Sequence, residues 1–176
     1  HTPLFLLATL GYPGSGKTHF SERFCREHTI IHLASDQLRH TMFAEPKYTP
    51  DEHQAVFREM DRLCEEYISQ GKSVLYDANN NRRDKRLTLQ HIAQGHSAQY
   101  VLLYFNTPLE TAIKRNNERQ HIDGEKKKLF PHIDEAVIHR MNKNIELPTG
   151  DEPFIEINGQ ADYADQEKTV LAALEH

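Results

Sequence analysis

The chain has no tryptophan, only two cysteines and no long apolar run, and each shortage closes off a class of protein. Cys25 and Cys64 lie far apart without a CxxC spacing, so neither a disulfide framework nor a zinc site is expected. A reducing cytoplasm is the setting that this cysteine usage fits best. The longest apolar stretch, Leu4–Leu10, falls well short of the roughly 20 residues that cross a bilayer and lacks the basic flank of a signal peptide, so no membrane partner is expected. Positive charge is also in deficit. The 21 Lys and Arg against 26 Asp and Glu leave a formal net charge of −5, whereas proteins that grip long nucleic acids present a broad basic face. Short nucleic acid is not excluded by a local basic patch, but net charge does not point to it. The 12 histidines form no HExxH or Cys/His cluster, and no zinc is expected from them either.

The 176 residues are enough for one domain with a sizeable core and too few for two ordinary ones, so residues 1–176 read as a single domain. With 38% hydrophobic and 27% charged residues, the composition is that of a globular protein. His1 in place of Met reads as a trimmed start and Leu174-Glu175-His176 as a tag junction, and neither end is given functional weight.

Strand-forming runs fall at Leu4–Leu10, Thr29–Leu33, Ser73–Tyr76, Tyr100–Phe105 and Phe154–Ile157, with helix-like segments between them. That alternation predicts an α/β fold, a five-stranded parallel sheet covered on both faces. Thr49-Pro50-Asp51-Glu52 reads as a capping box. Val56, Met60, Leu63 and Tyr67 recur behind it at helical spacing, and Gly71 ends the helix. Thr107-Pro108-Leu109-Glu110 repeats the start signal, predicting a helix from Pro108 to about Gln120 that carries Arg115 and Arg119. Residues 114–131 read as a lid segment leading to a helix over Asp134–Ile145, and Asp162–Leu174 reads as a closing helix.

Gly11-Tyr12-Pro13-Gly14-Ser15-Gly16-Lys17-Thr18 satisfies the Walker A pattern between an apolar strand and a helix bearing Phe20 and Phe24. Gly11, Gly14 and Gly16 let successive backbone N–H groups, including that of Ser15, turn toward phosphate at the positive end of a helix. Lys17 is expected to bridge the β- and γ-phosphates of ATP, and the Thr18 hydroxyl to complete a Mg²⁺ shell. The alternative, an ordinary glycine turn, leaves the agreement of eight positions and both flanks unexplained. After the second strand come Asp36 and, one turn on, Arg39. An aspartate there can take a proton from an attacking hydroxyl and an arginine can hold an anionic acceptor, while helix N-capping is an equally common use of such an aspartate. After the third strand, Asp77 has the Walker B placement of a carboxylate that reaches Mg²⁺.

Walker A, Asp36-x-x-Arg39, Asp77 followed by asparagines and arginines, and Lys114-Arg115-Asn116-Asn117-Glu118-Arg119 together resemble the kinase domain of phage-type polynucleotide kinase. The chain also resembles the small P-loop kinases around it, including zeta-toxin-like and seryl-tRNA kinases. The resemblance spans about Leu4 to Ile157. It implies a three-layer, doubly wound P-loop fold with a helical lid, ATP and Mg²⁺ as cofactors, Asp36 as general base and Arg39 as the residue that places the acceptor. It also implies a lid arginine, matched best by Arg119 and second by Arg115, that stabilises charge on the transferring phosphoryl group. For Arg115 a solvated helix face is the stronger reading. From Lys114 to Lys128, six basic residues stand against three acidic ones, a local excess suited to ATP phosphates. The expected activity is therefore ATP-dependent transfer to a hydroxyl of a nucleoside, nucleotide, small metabolite or oligonucleotide 5′ end. A regulatory or mechanical ATPase and an ATP-binding module with little catalysis are the alternatives.

Overall fold

In the computed structural model, residues 3–118 and 133–174 are described; Arg119 and most of the expected lid lie outside them. Five parallel strands, β1 (Phe5–Leu10), β2 (Ile31–Ala34), β3 (Val74–Asp77), β4 (Gln99–Asn106) and β5 (Phe154–Asn158), pair in the order β2-β3-β1-β4-β5. Helices α1 (Lys17–His28), α2 (Ser35–Met42), α3 (Pro50–Ser69), α4 (Arg83–Gly95), α5 (Leu109–Glu118), α6 (Glu135–Asn144) and α7 (Tyr163–Leu174) connect and flank them. The expected three-layer parallel fold is present, with strand ends moved by one or two residues.

Strand alternation produces the layers, because successive side chains point to opposite faces. On β1, Leu6, Ala8 and Leu10 join Met60 and Cys64 of α3 and Leu89 of α4 on one face, whereas Leu7 joins Phe20 and Phe24 of α1 and Val170 of α7 on the other. Phe20 and Phe24 stack with centroids 5.1 Å apart and are fully buried, each worth about 1.5–3 kcal/mol of transfer free energy. In α3 the buried stripe is Val56, Met60, Cys64 and Ile68, while the expected Leu63 and Tyr67 are half-buried. A helix stripe at 3.6-residue spacing accommodates either set, and the neighbouring sheet selects between them. Thr49 caps α3 by accepting from Glu52 N at 3.2 Å. The Glu52 carboxylate does not reach back to complete the box; it turns to Arg39 and to Lys47 N instead.

Each layer holds one buried thiol, and burial pushes both up to about 12, helped at Cys25 by the charge of Asp77 and at Cys64 by Asp61. A group whose folded pKa is raised stabilises the fold fully below its unfolded pKa, near 8.5–9 for a thiol, and loses that stabilisation as pH rises toward the folded value. Buried Tyr76 and Tyr100 are raised in the same sense. Unfolding free energy measured in urea should therefore fall between pH 9 and 11, with a limiting slope of about 1.4 kcal/mol per pH unit for each thiol. Replacing Cys64 by Ala should make that decline shallower, and an equal slope in both proteins would show that the thiol does not titrate as stated.

Candidate active site

The strand order places β1 in the middle, so the loop after it is bordered by the loop after β3 on one side and the loop after β4 on the other. Both are tied to it. Gly11 N donates to Asn79 O at 3.4 Å, and the Asn80 side-chain amide donates to Thr9 O at 2.7 Å. From the opposite side, Thr107 Oγ1 donates to Ser15 O at 2.8 Å and the Tyr12 hydroxyl donates to Thr107 O at 2.5 Å.

Within the loop, Gly14 and Gly16 take φ of 87° and 95°, in the left-handed region where a side chain is disfavoured. A Cβ on Gly14 would also collide with Ala112 O. Gly16 is the N-cap of α1, with no side-chain cap bond, so the first N–H groups of that helix have no cap oxygen. Ser15 Oγ is buried with no hydrogen-bond partner among the described residues. Lys17 is buried beside this turn, with Nζ 3.4 Å from Tyr12 O, and Thr18 is half-buried one residue on. Left-handed glycines, an orphaned hydroxyl, an uncapped helix start and a sheltered ammonium fit a phosphate chain.

Asp77 ends β3, 3% exposed, with His32 Nε2 at 2.9 Å from Oδ2 and Thr9 Oγ1 at 3.5 Å from Oδ1. Its carboxylate and the Thr18 hydroxyl are hard oxygen donors of the kind Mg²⁺ takes. Asp36 lies in the first turn of α2, half-buried. The N-cap of that helix is Ala34, so Asp36 stands inside the first turn and not at the cap position.

Arg39 departs from the expected placement. It is only 5% exposed: Nη1 donates to Glu52 Oε1 at 2.9 Å, Nη2 lies 3.2 Å from His53 Nδ1, and the guanidinium sits 4.8 Å from the centroid of the Tyr48 ring. Burial, then the charges of Arg39 and Lys85, hold His53 below its usual pKa, so the neutral ring accepts from Arg39. With its charge countered by Glu52, Arg39 is an internal strut between α2 and α3 in this structure, not a group facing an open site. Arg115 also differs from a solvated helix face. Its Nη1 donates to Gly14 O at 3.2 Å and its Nη2 to Gly159 O at 2.9 Å, joining the P-loop to the turn after β5. Arg119 lies outside the described residues.

Several residues beyond the sequence motifs build the site. Arg86 is fully buried, with Nε 2.6 Å from Glu152 Oε1 and Nη1 donating to Asn80 O at 2.9 Å, which fixes the loop after β3. Asn116, also fully buried, exchanges hydrogen bonds with the backbone of Ile133 and so clasps the two described ends on either side of residues 119–132. Gly159 is where the turn after β5 meets the P-loop. A Cβ there would overlap Thr107 Oγ1 and lie 2.6 Å from Ser15 O. Gly159→Ala should thus shift the P-loop, weakening an ATP analogue by about tenfold or more, equivalent to 1.4 kcal/mol, and lowering the melting temperature. Gly150, with open space around it, provides the comparison. If calorimetry gives Gly159→Ala and Gly150→Ala the same analogue affinity, the close approach does not control the cradle.

Residues 6–148 match the family described as an AAA domain. The chain belongs to this family. An L-seryl-tRNA(Sec) kinase of Methanococcus maripaludis is 30% identical over 119 residues, which are 65% of this chain and 46% of that one. A protein of Acanthamoeba polyphaga mimivirus named as a bifunctional polynucleotide phosphatase/kinase is 25% identical over 162 residues, 92% of this chain and 34% of its own. The chain thus spans less than half the length of these curated relatives. Among solved structures, the APS kinase of Mycobacterium tuberculosis, in complex with AMPPNP and APS, superimposes with a TM-score of 0.69 at 17% identity, covering 99% of this chain and 100% of that one. The fold is that of the P-loop kinases. Among the described residues no helix is long and apolar enough to cross a membrane.

Proposed function

We propose that the chain is an ATP-dependent phosphotransferase that moves the γ-phosphoryl group of ATP to a hydroxyl acceptor. Backbone N–H groups at the P-loop turn and the start of α1, those of Gly14, Gly16, Lys17 and Thr18, bind the phosphates in the loop that Gly11 and Ser15 shape, the Lys17 ammonium follows the β- and γ-phosphates, and Arg115 closes the nucleotide side. Thr18 and Asp77 would hold Mg²⁺, which when bound neutralises charge between the β- and γ-phosphates. The acceptor hydroxyl oxygen bonds to the γ-phosphorus as the bond to the β–γ bridging oxygen breaks. The hydroxyl proton passes to Asp36, and ADP leaves. Arg119 is assigned to charge on the transferring group by resemblance alone.

The observation that carries this reading over a plain ATPase is the place of Asp36, a half-buried carboxylate in the first turn of the helix that follows β2 at the same sheet edge as the P-loop. The segment after β2 supplies the acceptor side, β4 and β5 the nucleotide side, and the end of β3 the metal ligand between them. The names of the relatives suggest aminoacyl-tRNA or polynucleotide hydroxyls as acceptors, beside the free metabolites and nucleosides of the wider expectation. Two free, buried cysteines suit a reducing cytoplasm. The test is a γ-labelled ATP screen against pooled nucleosides, nucleotides, 5′-hydroxyl oligonucleotides, sugars and seryl-tRNA. Label in an acceptor, lost in Lys17→Ala, is expected; label released only as inorganic phosphate across the panel favours a hydrolase and overturns the reading.

A further inference from the structure

Among the described residues, four non-glycine residues sit on left-handed backbone. Thr29 and Ser97 do so where α1 and α4 end, a common place for it. Asn80 is accounted for by its amide bond to Thr9 O and by Arg86 on its carbonyl. Tyr48, with φ 57° and 51% exposed, ends no helix: its backbone N–H, like that of Lys47, turns to the Glu52 carboxylate while its ring is left half in solvent. A bulky residue in this region is strained, and such strain persists only where the surroundings impose it.

Those surroundings are specific. The buried Arg39 guanidinium lies 4.8 Å from the centroid of the Tyr48 ring, supporting it from one side. Glu52, which pairs with Arg39, also accepts the N–H of Lys47 at 2.8 Å, fixing the residue just before Tyr48. A buried ion pair is a weak source of stability, and its best-attested use is to hold one geometry. What this pair holds is an aromatic ring that stays half in solvent. Arg39 is one helical turn from Asp36 on the same face of α2, which brings the ring beside the carboxylate assigned to the attacking hydroxyl. Burial and then the charge of Asp36 raise the Tyr48 phenol, in keeping with that proximity. An open cleft of about 440 Å³ lies next to the same segment, lined in part by Phe43, Lys47, Thr49 and Glu52, with neither Tyr48 nor Asp36 in its wall.

We propose that Tyr48 is a specificity residue of the acceptor site: its exposed ring packs against a ring of the acceptor, a sugar or a nucleobase, and selects against open-chain alcohols. Arg39 and Glu52 act through Tyr48 as positioning residues. The inference rests on the kinase reading above and deepens it. Ring-on-ring packing is tolerant of identity because every base, and the C–H face of a sugar, offers a surface to it.

The chain has no tryptophan, so Tyr48→Trp would carry the only one and report directly on this position. With a non-hydrolysable ATP analogue held at saturation, the variant is titrated with adenosine, with glucose and with gluconate as the open-chain control. Saturable change in tryptophan emission with a ring compound and none with gluconate is expected, and the two ring arms tell base from sugar. In the labelled-ATP assay with the best acceptor, Tyr48→Ala should raise the acceptor KM about 5–150-fold while leaving the ATP KM near wild type, and Tyr48→Phe should restore it. An unchanged acceptor KM in Tyr48→Ala, or equal emission changes with gluconate and ring compounds, overturns the inference while leaving the kinase intact. Absence of transfer to any acceptor by the wild-type chain overturns the kinase reading and this inference with it.

Discussion

Lys17→Ala is expected to lower phosphoryl transfer by about 10²–10³-fold or more, the loss seen when one preorganised charge-stabilising group is removed from a sheltered site. The structure explains why no neighbour should compensate. Lys17 is buried against the P-loop with Nζ directed to Tyr12 O, and Arg115, the nearest described guanidinium in the loop's hydrogen-bond network, is committed to Gly14 O and Gly159 O. Nucleotide affinity should weaken too, because the ammonium contributes to binding as well as to the transition state. The fold should persist, since the surrounding core on Phe20, Phe24 and Leu7 does not involve this side chain. The check is single-turnover transfer alongside a thermal melt. Near wild-type turnover in a folded Lys17→Ala protein would sink the assignment of the phosphate cradle.

Asp36→Asn is expected to reduce transfer to the acceptor by about 10²–10⁴-fold, the range for a positioned acid or base, with ATP affinity little changed. The substitution keeps size and polarity but removes the basic oxygen. Asp36 lies inside the first turn of α2 and Asn keeps most of any hydrogen bond to the helix start, so loss of a cap would cost stability of about 1 kcal/mol or less and not a 10²-fold rate. The measurement separates kcat from the KM for each substrate. Wild-type kcat in Asp36→Asn would reduce Asp36 to a structural carboxylate and remove the feature that favours an acceptor kinase over an ATPase.

The phosphate cradle was legible in the sequence because its chemistry fixes both residue types and spacing: glycines where φ must be positive, then Lys17 and Thr18 at the helix start. The sheet was legible through its apolar runs, since strands buried on both faces require them. Pairings between distant elements were not. Asp36-x-x-Arg39 shows that two side chains share a helix face, but nothing in that spacing reveals that Glu52, thirteen residues on, will take the Arg39 guanidinium. Glu52 itself fits a capping box, and the local reading missed the stronger tertiary partner. Helix α4 offers no cap signal, as its N-cap Arg82 makes no side-chain cap bond, and so its fully buried Arg86 had no visible place. Gly159 is a lone glycine in sequence, and only the approach of Thr107 and Ser15 gives it a role.

The strand order β2-β3-β1-β4-β5 has an evolutionary corollary. Because the P-loop strand sits at the centre, the segments proposed to meet ATP and those proposed to meet the acceptor grow largely from opposite halves of one sheet. Residues 35–55, with α2, Tyr48 and the start of α3, take no part in the hydrogen bonds that join Arg115, Thr107 and Gly159 to the P-loop on the other flank. On the proposed reading, such a scaffold would let the acceptor side change while the nucleotide side is kept, with the buried Arg86–Glu152 pair as the tie between the two halves.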